Sequence, residues 1–158
     1  MRCSIEKTPH IMYRKRLFKW LFSEPISSST KSMLILFARI IFGFLFLSHG
    51  VAKIHFYIDA PHTFPNPIGL GSTLSLWLVL FAEILCSLGF IIGALFRLSL
   101  IPMIFTMCIA VFVIHSGDLL AVKELSLMYL TIFVLLYITG PGRYSIDGIF
   151  KRMYFASK

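Results

Sequence analysis

At 158 residues, 58% of them hydrophobic, 15% aromatic and only 14% charged, the chain has the length of one domain but too much apolar surface for a water-soluble fold to hide. Its net charge of +8 does not point to nucleic acid, because the basic residues gather at the two ends and spare the long apolar stretches. Cys3, Cys86 and Cys108 show no CxxC spacing, which argues against a disulfide framework and a dithiol redox centre.

In chain order, residues 1–31 form a basic tail carrying Arg2, Lys7, Arg14, Lys15, Arg16, Lys19 and Lys31. Within it, Ile11 to Phe22 read as an amphipathic helix. Lys15, Arg16 and Lys19 lie near one side, with Tyr13, Leu17, Phe18, Trp20 and Leu21 largely on the other, a pattern suited to an anionic leaflet. The first long apolar run starts only at Met33, too far in for a secretory signal, and is read as a retained anchor. About 20 helical residues cross the roughly 30 Å of hydrocarbon. Four spans are expected on that basis, at Met33 to Val51, Thr73 to Leu95, Leu98 to His115 and Leu125 to Ile138.

The expected fold class is an all-α integral membrane protein, a four-helix bundle, since unpaired backbone groups in lipid cost several kcal/mol each. Arg97 falls in the turn between spans two and three, while Arg143, Lys151, Arg152 and Lys158 follow span four. The other two connections carry only Lys53 and Lys123, so the positive-inside rule places both termini in the cytoplasm. Pro61, Pro65, Pro67, Gly69 and Gly71 make the first connection an irregular cap. After Gly140-Pro141-Gly142, the spacing of Ile146, Ile149, Phe150, Met153 and Tyr154 beside Lys151 and Arg152 predicts a second interfacial helix within 141–158.

Polar residues inside the spans carry the functional signal, because a charge near the bilayer centre costs a few kcal/mol even on lenient scales. Arg39 and Glu83 are read as a candidate buried pair, although counting about 1.5 Å per residue puts them roughly 9 Å and 18 Å above the inner edge. One reading makes the pair a structural tie and the other makes Glu83 a proton-exchanging or ligand-binding carboxyl. His49 and Lys53 are four apart at the end of span one, His115 ends span three, and Glu124 opens span four with Asp118 between. These four groups form a candidate pocket for a quinone or another amphiphile whose carbonyls accept hydrogen bonds. The competing reading is that helix ends in the headgroup layer simply carry polar residues. No metal site is assigned: two histidines without a local motif are a weak signal for one. Small residues at Gly43, Gly50, Gly89 and Gly93 are expected to face the bundle interior, and Pro102 to sit in the first turn of span three.

Arg39, Gly43, the run His49-Gly50-Val51-Ala52-Lys53, Glu83, Gly93 with Arg97, His115, Lys123-Glu124 and the segment from Gly140 to Asp147 (GPGRYSID) give the chain its resemblance to the DoxX family of small bacterial membrane proteins. The likeness runs from about Ser32 to Asp147; the basic tail stands outside it. The resemblance implies a four-helix domain over 32–140 in the bacterial inner membrane. By family name it implies a relation to a subunit of a thiosulfate- and quinol-linked oxidase, with other members in membrane redox complexes. No haem site or redox-active cysteine pair stands in this sequence to support an activity by the chain alone. Two functions follow as expectations: a redox-associated subunit that binds a quinone, or a non-catalytic scaffold holding other membrane subunits or a second copy of itself.

Overall fold

The computed structural model describes residues 27–156. The candidate helix at Ile11 to Phe22 and Cys3 therefore lie outside the described residues. Helix α1 spans Ser28–Tyr57 and begins at Ser27, whose hydroxyl accepts from the Thr30 N–H. Helix α2 spans Ser72–Ile92, α3 Phe96–Ile114 and α4 Leu120–Thr139; with α1 these are long and apolar enough to cross a membrane. A short α5, Ile146–Ala156, follows α4. The four spans alternate in direction, so α1 and α3 start, and α2 and α4 finish, at what is called here the basal end.

The spans are longer than expected at several ends. α1 continues six residues past Val51 to Tyr57, and α4 begins at Leu120 rather than Leu125. Pro102, expected in a first turn, lies well inside α3, which opens at Phe96. The Thr106 hydroxyl donates to its carbonyl at 2.9 Å.

Burial follows one stripe along α1. Ser32, Arg39, Gly43, Phe46 and Gly50 are buried, at the three-and-four spacing that keeps a helix face turned to its neighbours. Gly50 allows α1 and α2 to approach closely: a methyl group there would meet Ile84 Cγ1 at 2.7 Å and Glu83 Cβ at 3.0 Å. In the centre Phe46, Phe90, Phe96, Met103, Tyr129 and Phe133 share one apolar cluster. Within it Phe46 meets Phe133 edge-on at 5.0 Å and Phe90 stacks on Phe96 at 5.3 Å. The outer faces carry exposed Phe37, Phe44, Leu85, Phe105 and Ile138. In water such a surface would drive aggregation; in lipid it is the expected exterior.

Two features break the regularity of the helices. Five-residue π-helical turns interrupt α2 at Phe81–Leu85 and end α3 at Ala110–Ile114. Such turns shift the register of a helix face and are frequent at functional sites. The first contains Glu83 and the second delivers His115.

The basal end is closed by a single arginine. Arg39 is 1% exposed, and all of its described hydrogen bonds go to backbone carbonyls. Nε donates to Phe90 O at 3.0 Å, Nη2 to Ile91 O at 2.6 Å, and Nη1 to Pro141 O and Tyr144 O at 2.9 and 3.0 Å. The last carbonyls of a helix have no partner within it, so the guanidinium satisfies the end of α2 while binding the segment that follows α4. Gly93, at φ +69°, turns the chain out of α2 against Arg39, where a side chain would collide with Ser145 Cβ at 2.6 Å. Asp147 completes this knot by accepting from the N–H groups of Leu95 and Phe96 at 3.0 and 2.9 Å, thereby capping α3. The GPGRYSID segment is therefore folded beneath the bundle as part of its structure.

Candidate ligand-binding site

The opposite, distal end is open inside. α2 packs on α3 through its basal part, from the π-turn onward, whereas its first segment, Ser72–Leu80, packs on α1 and on the 3-10 turn at Pro61–Thr63. Between the diverging helices lies a cavity of about 480 Å³, within the size range of small-molecule sites. Its lining is mostly apolar, with polar groups concentrated on α1, α2 and α4: His49, Lys53, Ser75, Glu83, Ser126 and Tyr129.

The polar cluster is organised by an ion pair between Lys53 and Glu83. Lys53 Nζ lies 2.7 Å from both carboxylate oxygens. The Glu83 side chain is 2% exposed and that of Lys53 28%, so the carboxylate is the enclosed partner and the ammonium faces the cavity. The four-residue spacing from His49 to Lys53 sets both on the face that follows Phe46 and Gly50 along α1. The π-turn, in turn, holds Glu83 against Gly50. The His49 ring meets Tyr129 edge-on at 5.7 Å. His115 also lines the cavity, and its Nδ1 lies 2.7 Å from Asp118.

Sequence reasoning paired the wrong residues. Arg39 and Glu83 do not bond: Arg39 is occupied by four carbonyls at the basal end, and Glu83 by Lys53. Arg39 meets α2 at Phe90 and Ile91, seven and eight residues from Glu83 or about 11 Å along the helix. Lys53 was expected on the same side of span one as His49, although span one was ended at Val51; the helix runs on to Tyr57 and carries that face through Lys53. Of the four pocket candidates, His49, Lys53 and His115 line one cavity; Glu124 does not. On α4 the inward positions are Ser126, Tyr129 and Phe133. Glu124, two residues before Ser126 and so nearly half a turn round the helix, is exposed. Tyr129 and Ser75 escaped notice in the sequence. The signal for Tyr129 was its place four residues before the core Phe133.

Among the described residues no three His, Cys, Asp or Glu side chains group as a metal site. Cys86 and Cys108 are free thiols in separate spans. The chemistry the cavity offers is hydrogen bonding from an ammonium, an imidazole, a phenol and hydroxyls, beside a charge-neutral pair in an apolar shell. Among protein families, the DoxX family model matches residues 34–116, just over half of the chain. No curated protein and no solved structure matches.

Proposed function

The chain belongs to the DoxX family, and from that premise we propose that it is a binding subunit of a membrane redox complex that takes an uncharged, carbonyl-bearing amphiphile of the quinone type into the distal cavity. The observation that carries this reading is the Lys53–Glu83 pair at the wall of a mostly apolar cavity. Because the two charges cancel, an anionic headgroup would find no net positive charge to balance it. Lys53 retains donor capacity beyond its bond to Glu83, and a ring carbonyl is the acceptor that suits it. Tyr129 and His49 supply further polar contacts at the same level, and the apolar lining suits the rest of the molecule.

The orientation that accompanies this reading puts both termini and Arg97 on the cytoplasmic face of a bacterial inner membrane. It is supported by the basic residues gathered at the basal end, with the cavity toward the other face. The test is binding of a quinone analogue to the purified full chain. A charge-assisted hydrogen bond contributes about 1.5–3 kcal/mol, so Lys53→Met is expected to weaken binding by roughly tenfold or more. His49→Ala is expected to weaken it by a smaller factor. Binding indifferent to both changes would leave the scaffold reading, in which the polar residues only hold helices together.

A further inference from the structure

The cavity does not end at its polar cluster. Its lining continues down α3 from His115 to Ile101, fourteen residues or about 21 Å along the axis, farther than a ring headgroup needs. Over its distal part α1 and α4 contribute Phe46, His49, Leu125 and Tyr129 to the wall, and its lipid-facing side is formed by α2 and α3. Leu78 and Phe81 stand on one side and Ile101 and Phe105 on the other, between 45% and 58% exposed on the surface that faces lipid. These side chains therefore line the cavity and form its rim at once.

The other seams of the bundle are packed at their centres, and beyond the α2 and α3 rim only Ile68, Ile114 and Leu125, at the distal mouth, both line the cavity and are exposed. α1 and α2 close on Gly43 and Gly50. α1 and α4 close through Tyr129 against Phe42, Phe46 and His49. α3 and α4 share the central cluster through Met103, Met107, Tyr129 and Phe133. Across the distal end of α2 the loop lays Phe64, only 7% exposed, on Leu76 and Leu80 and edge-on to Tyr57 at 5.1 Å. Asn66 Oδ1 fixes this loop by accepting from the Gly71 N–H and the Ser75 hydroxyl at 3.0 and 3.3 Å. The cavity is thus covered above α2 and open toward the side.

The geometry points to the groove between α2 and α3 as the seat of an alkyl or isoprenoid tail whose headgroup occupies the polar end. It is also the portal through which that ligand exchanges directly with the bilayer. This rests on the headgroup reading above and adds the route and the tail's partner. The occupant follows from continuity, since a polar pocket that opens into a lipid-facing apolar groove fits a molecule with one polar end and one long apolar end. The π-turn in α2 belongs to the same device, presenting Phe81 to the rim and Glu83 to the pocket, while the one that ends α3 leads into His115 at the polar end.

The experiment uses the full chain in lipid nanodiscs with a benzoquinone bearing a decyl tail and a terminal diazirine, the adducts being mapped by mass spectrometry. Adducts on residues 78–81 and 101–105 that are suppressed by excess unlabelled quinone are the expected result. Adducts spread over the lipid faces of all four helices, or unaffected by competition, would overturn the groove. In parallel, Ile101→Trp should weaken the decyl compound about tenfold and change binding of the tail-less benzoquinone by less than about twofold, because only burial of the tail is lost. Equal loss for both compounds overturns the groove assignment. Failure of both compounds to bind the unaltered protein removes the headgroup reading and the groove with it. Tail-less binding that is lost in His49→Ala, with adducts elsewhere, removes the groove alone.

Discussion

The two ends of the bundle meet the same difficulty, a cation placed among apolar helices, in opposite ways. At the basal end Arg39 has four backbone carbonyls around it and lies against the ring of Phe96, its guanidinium carbon 5.6 Å from the centroid. At the distal end Lys53 has one carboxylate and an open cavity. Arginine's fixed fork suits the first task, because several acceptors at set positions hold it rigid, and lysine's compact, turnable ammonium suits the second. A cation saturated by backbone holds the fold together, whereas one left partly free beside a void is available to a ligand.

The largest effect that would break this comparison is at Arg39. Arg39→Ala orphans four carbonyls, each costing about 1–3 kcal/mol when buried without a partner. Thermal unfolding in detergent should show a loss of at least ~3 kcal/mol, and Arg39→Lys should recover little of it, since an ammonium cannot reproduce the fork. A stability near that of the parent would mean that the basal knot is decoration.

A smaller effect is expected at Asp147, whose carboxylate receives two N–H groups at the start of α3. Asp147→Ala should lower stability by roughly 0.5–2 kcal/mol, the range of a lost helix cap. It should leave quinone-analogue binding at the far end unchanged; a loss of binding would show that the two ends are not separable.

The smallest change in stability is expected at the distal pair, provided both charges are removed together. Lys53→Met alone strands Glu83, but a combined Lys53→Met and Glu83→Leu replaces a buried pair with apolar groups of similar bulk, a swap that is often neutral or stabilising. The double variant should unfold within about 1 kcal/mol of the parent and yet fail to bind. Retained binding would assign the pair to structure and make the two ends alike.

Much of the fold was legible because bilayer thickness and backbone hydrogen bonding leave little choice: four long apolar runs in this chain have to become four helices. The inward face of the first span was also visible in Gly43 and Gly50 and in the four-residue spacing of His49 and Lys53. What the apolar count could not show was where a helix stops. The polar residues around Lys53 and Lys123 look like connection, yet both belong to helices, and those few residues decide which carboxylate Lys53 meets and which way Glu124 turns. The π-turns were hidden for a related reason: they arise from packing between helices and have no composition of their own. Asp147 looked like the start of an interfacial helix. Its role as the cap of α3, some fifty residues earlier, depends on the chain returning beneath the bundle.

Arg39 also imposes an order on the making of the protein. Its acceptors are supplied 51, 52, 102 and 105 residues after it in the chain. At ordinary rates of synthesis, about 5–20 residues per second, the first span waits on the order of 5–20 s between its own appearance and the arrival of Tyr144. Until Pro141 arrives the guanidinium has at most two of its four final acceptors. A copy broken off before Pro141 never leaves that state. The arginine thus ties the first span to the last segment made, and the basal end is complete only when both are present.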